Sequence, residues 1–74
     1  MIYKNNGTMY RVFGEYAMSI KIFAMNDNEY YTISLQPTGT YWLELHPVEF
    51  EITEHEWNYA YSVAMEKIKE VANG

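Results

Sequence analysis

The sequence predicts an α+β domain, an antiparallel β-meander of four to five strands with one C-terminal α-helix packed on one face. Two patterns lead there. Apolar residues alternate with polar ones between turn signals over the first two thirds of the chain, and alternation is the mark of half-buried strands. A helix-start signature followed by a stripe of helical period occupies the last third. A strand layer and a helix layer make a complete small domain, expected to span 1–74.

The elements follow in chain order. Asn6-Gly7 suits a type I′ hairpin, which needs positive φ at both turn residues. It would join strands at about 2–4 and 8–13. Gly14 permits a sharp change of direction. A strand at about 16–24 sets Tyr16, Met18, Ile20, Ile22 and Ala24 on one face and Ser19 and Lys21 on the other. Asn26-Asp27-Asn28 is a turn cluster. The next strand, about 29–35, turns Tyr31, Ile33 and Leu35 inward and Tyr30, Thr32 and Ser34 outward. After Pro37-Thr38-Gly39, a strand at about 40–45 directs Tyr41, Leu43 and Leu45 to the core and Trp42 and Glu44 away. His46-Pro47 interrupts the ladder, because proline has no amide to donate. A last strand, about 48–52, turns Val48, Phe50 and Ile52 inward and Glu49 and Glu51 outward.

The helix start is the sharpest signal. Thr53 is a good N-cap, Glu56 stands at the capping-box position, and Ile52 and Trp57 have the spacing of a hydrophobic staple. A helix over about 54–72 then lines up Trp57, Tyr61, Ala64, Ile68 and Val71 as one apolar stripe. Asn73-Gly74 closes the chain where that helix would end.

Composition bounds the function. The 74 residues contain no cysteine, which excludes disulfides, cysteine-type zinc sites and thiol chemistry. Half the residues are apolar and 18% are aromatic, too hydrophobic for a disordered chain. The start has no apolar core of a signal peptide and no run is long enough for a membrane span, so a cytoplasmic protein is expected. The charge of −5 is uneven. Residues 1–21 hold Lys4, Arg11 and Lys21 against Glu15, a net of +2. Residues 22–65 hold Asp27, Glu29, Glu44, Glu49, Glu51, Glu54 and Glu56 and no Lys or Arg. Such a field repels phosphate backbones, which argues against direct nucleic-acid binding, and steers the chain toward a basic partner. Plain solubility is the competing explanation. Glu54 and Glu56 are also accounted for by the positive end of the helix dipole.

No motif for catalysis or for a cofactor is present. His46 lies near Glu44 and Glu49, and His55 near Glu54 and Glu56, at spacings that match no metal-ligand pattern. The four glycines are scattered and form no phosphate loop. No catalytic, cofactor or metal residue is therefore assigned. What remains is the sheet face that one helix leaves uncovered. Trp42, Tyr30 and Phe23 would be its aromatic anchors, and Glu44, Glu49 and Glu51 its acidic rim. The bland alternative is a set of half-exposed strand aromatics. The expected function is that of a small acidic, non-enzymatic binding protein that docks on a basic surface of another protein and inhibits or regulates it. Its carboxylate row would stand in for nucleic-acid phosphates, as inhibitors from phages or mobile elements and immunity proteins do. The alternative is a homodimer or larger homo-oligomer, a scaffold or small-ligand module joined through the aromatic face.

Overall fold

Three tight turns build the sheet. Strands β1 (Ile2–Asn5), β2 (Thr8–Phe13), β3 (Tyr16–Met25) and β4 (Asn28–Pro37) succeed one another with two residues between each pair. The first turn, Asn6-Gly7, has φ of 48° and 82°, and the third, Asn26-Asp27, has 53° and 66°. Both are the left-handed pairs that match the right-handed twist of a hairpin. Gly14, at φ 56°, opens the middle turn. The computed structural model describes residues 1–73, so Gly74, expected to close the helix, lies outside the described residues.

The sheet is antiparallel with strand order β4-β3-β2-β1-β5. The fifth strand, β5 (Phe50–Glu51), pairs with β1, Tyr3 opposite Glu51 and Lys4 opposite Phe50. The chain therefore leaves the sheet at the β4 edge and rejoins it at the other. On the way it forms a four-residue helix, α1 (Trp42–Leu45). The long helix α2 (Glu54–Asn73) follows.

Registers sort the side chains. Met9 faces Ile20, and Ile20 faces Ile33. These residues lie under α2, whose Trp57 and Ala64 form the buried cluster with Ile20. Ile2, Met18, Tyr31, Ile52 and Tyr61 pack around it. The Glu56 amide donates to the Thr53 hydroxyl at 3.1 Å, the N-cap bond expected from the sequence. Arg11, on the same sheet face, pairs with Glu54 at 3.2 Å. Val71, assigned to the core stripe, is instead exposed.

The opposite face has a core of its own. Tyr3 and Ala17 are completely buried there and Ser19 nearly so. Ser19, expected to face solvent, is buried between its strand partners Tyr10 and Ser34. The crossing from β4 to β5 corrects the reading of 40–45. It is not a strand paired with β4, and Trp42 points inward while Tyr41, Leu43 and Leu45 are exposed. Gly39, at φ 63°, helps turn the chain away from the sheet edge after Pro37. Of the strand expected at 48–52, Phe50 and Glu51 pair with β1, and the Glu49 and Ile52 amides donate to the Lys4 and Ile2 carbonyls; Ile52 packs on the core as expected, while Val48 and Phe50 face solvent.

Candidate functional surface

The crossing segment is pinned to the sheet by one aromatic knot. Trp42 Nε1–H donates to the Tyr3 hydroxyl at 3.0 Å, and that hydroxyl donates to the His46 carbonyl at 2.7 Å. The Trp42 indole stacks on the His46 ring with centroids 3.9 Å apart and meets Tyr10 edge-on at 5.7 Å. Tyr10 also touches Tyr3, at 5.3 Å. His46 Nδ1 lies 3.3 Å from the Trp42 carbonyl, the i,i+4 reach across the turn of α1. Burial pushes the Tyr3 hydroxyl above its ordinary 10.0. The bond from Trp42 opposes that shift and nearby Tyr10 adds to it.

Trp42 is thus an internal anchor, 6% exposed, and not the solvent-facing contact that strand alternation assigned to it. Phe23 and Tyr30 keep their expected places on the same sheet face. They are partners in the β3–β4 register, stack at 5.6 Å and line a groove with Ile68 and Val71 of α2. Glu44, Glu49 and Glu51 are exposed, as expected. Glu49 is held on the β1–β2 turn, its carboxylate accepting from the Asn6 amide at 3.2 Å. Asn5 Nδ2 donates to the Pro47 carbonyl at 2.8 Å and fixes the same stretch.

The six residues do not make one patch. β2 and β1 stand between β3 and β5. Phe23 and Glu51 are therefore three strand spacings apart across the sheet, about 14 Å, and further separated along it. The structure joins the acids to a different apolar set. Tyr41, Leu43, Leu45, Val48 and Phe50 are between 43% and 74% exposed and alternate along the chain with Glu44, Glu49 and Glu51. Once Trp42 turns inward, the residues meant for the core must turn out, and carboxylates and large apolar side chains share one arm, residues 41–51.

His46 is occupied by Trp42, and His55 stands exposed in the first turn of α2. An open groove of about 580 Å³ runs beside α2, walled by Met9, Ile20, Ile22, Tyr31 and Ala60, with Lys4 and His55 also in its lining. Among the described residues no helix is long and apolar enough to cross a membrane. Sequence reasoning missed Tyr3, Tyr10 and His46 as the seat of Trp42. The Trp42–His46 spacing of four was the available signal.

No family model matches the chain, and neither a curated protein nor a solved structure matches it.

Proposed function

We propose that this chain is a small, acidic, non-enzymatic binding protein of the cytoplasm that docks on a basic surface of another protein and thereby inhibits or regulates it. The observation that carries this reading is the 41–51 arm, where exposed Tyr41, Leu43, Leu45 and Phe50 interleave with Glu44, Glu49 and Glu51. Large exposed apolar side chains are uncommon in such density on a surface that meets only water. Set among carboxylates, they suit a partner groove with an apolar floor and lysine or arginine walls. Residues 22–65 contain no Lys or Arg to weaken that field. The arm is held by the Trp42–Tyr3–His46 knot, so little ordering is left to be done on binding. A row of carboxylates on a rigid frame can occupy a site that otherwise receives nucleic-acid phosphates, and steric and electrostatic occlusion is the mechanism.

The test is capture of the partner from the native host by immobilised protein, followed by kinetics on the purified pair. Reversing Glu44, Glu49 and Glu51 to lysine is expected to slow association and to abolish its salt dependence. Leu45→Ser, at a side chain 74% exposed, is expected to speed dissociation while leaving the fold intact. Binding that ignores both salt and these substitutions refutes the reading.

A further inference from the structure

We infer that β4 is a dimerisation edge, along which a second copy of this chain pairs in antiparallel fashion about Ile33, extending the sheet across a two-fold axis. This goes beyond the acidic arm and holds whether or not that arm finds its partner.

The two edges of the sheet differ. β5 offers two residues, too few to template another strand. β4 offers ten, and its register with β3 runs without interruption from Tyr16 opposite Pro37 to Met25 opposite Asn28, so no bulge twists it away. An outer strand presents the N–H and C=O of every second residue to its free side. Proteins ordinarily protect such an edge with lysine, internal proline, a bulge or a covering segment. β4 has no Lys or Arg, its proline is its last residue, and Tyr30, Tyr31, Thr32 and Ile33 are strong strand formers. Among the described residues, no backbone bond from outside the sheet reaches 28–37.

Three observations select a second copy as the occupant. The first is charge. Residues 16–37 carry Lys21 against Asp27 and Glu29, a net of −1, while 44–56 carry five acids and no Lys or Arg. The repelling charge is therefore kept at the far side of the sheet. The second is register. Pairing about Ile33 sets Glu29 opposite Pro37, Tyr31 opposite Leu35 and Thr32 opposite Ser34. Each sheet face stays continuous, and the two Glu29 residues lie at opposite ends of the shared ladder. The third is a pair of exposed side chains that the monomer leaves unexplained, Leu35 at 59% and Val71 at 63%. Val71 and Ile68 line a groove with Tyr31 at the end of α2. The register brings the second copy's Leu35 beside Tyr31, and so to that same helix end. Because only one edge is open, the pairing closes as an isologous dimer and does not propagate.

Sedimentation equilibrium from low to several hundred micromolar protein is the test. The wild type is expected at twice 8.8 kDa in the upper part of that range. Thr32→Lys with Ser34→Lys, both on exposed positions, sets lysine against lysine twice across the axis and is expected to weaken association at least tenfold. Thr32→Lys with Ser34→Glu sets lysine against glutamate twice and is expected to keep the dimer. A wild-type mass of 8.8 kDa throughout overturns the proposal, as does equal behaviour of the two double variants. Should a variant fail to fold, amide exchange on the concentrated wild type decides. Protection of consecutive β4 amides supports pairing, and protection of alternate amides alone overturns it.

Discussion

Replacing Trp42 by alanine is the sharpest check on how the crossing segment is held. The indole is 6% exposed, lies against His46 and Tyr10, and donates to Tyr3. Removing a large buried aromatic costs about 3–5 kcal/mol through lost burial and the cavity left behind. Two features of the site place this case near the lower end. The Tyr3 hydroxyl keeps its bond to the His46 carbonyl at 2.7 Å, so no buried polar group is stranded. The four-residue α1 at the surface can also sink toward the sheet and close part of the cavity. A loss of about 3 kcal/mol is expected, a large share of the total for a domain of this size, on the order of 4–11 kcal/mol. Urea unfolding followed by far-ultraviolet circular dichroism measures it without relying on the removed chromophore. In a Trp57→Phe background Trp42 is the single tryptophan, and its emission should be blue-shifted at every protein concentration. A midpoint change equivalent to less than about 0.5 kcal/mol, the range of surface substitutions, together with red emission, would refute the docked position of α1.

The other outcomes concern the same knot and the helix start. Tyr3→Phe leaves Trp42 Nε1 without its acceptor and the His46 carbonyl without its donor, for a loss of about 1–3 kcal/mol in the same urea titration. Burial raises the Tyr3 hydroxyl above 10.0, so its contribution is complete below that pH and is lost as pH rises toward the higher folded value. Melting temperature should accordingly fall above about pH 10, and Tyr3→Phe should flatten that fall. Thr53→Ala removes the 3.1 Å bond to the Glu56 amide and should cost about 1 kcal/mol, whereas Trp57→Ala, at the centre of the buried cluster, should cost about 3–5 kcal/mol. Equal midpoints for these two variants would mean that α2 is not docked through Trp57.

The parts of the fold legible in the sequence are those specified over short distances. Asn6-Gly7 and Asn26-Asp27 dictate their own backbone geometry, and both turns form where expected. Ile52, Thr53, Glu56 and Trp57 set the helix start within one turn. The 40–45 stretch misled because Tyr41, Leu43 and Leu45 alternate as a strand would. A short run of that period is ambiguous without knowing what lies beneath it. The deciding contact is Trp42 with Tyr3, 39 residues away, and local pattern carries no record of such a separation. Strand order failed for a related reason. The run from β1 to β4 pairs in sequence order, but β5 joins β1, and only the crossing over the far face makes that connection.

That one inversion explains the surface as well as the fold. A 74-residue chain has few large apolar side chains, and a sequence reading places nearly all of them inside. Here Trp42 is the one side chain of the 40–45 stretch that is buried, and it joins Tyr3, Tyr10 and His46 in the far-face core. Tyr41, Leu43 and Leu45 then have no interior left to fill, and Phe50 is 61% exposed on a two-residue strand. If these side chains served only the monomer, smaller polar residues would do as well at every one of those positions. Replacing Leu43 and Leu45 by serine should therefore leave the urea midpoint within about 0.5 kcal/mol of wild type. A loss of about 2 kcal/mol or more would mean that these side chains pack within the monomer and that the arm is not a free binding surface. An unchanged midpoint with lost partner binding is the result the exposed arm demands.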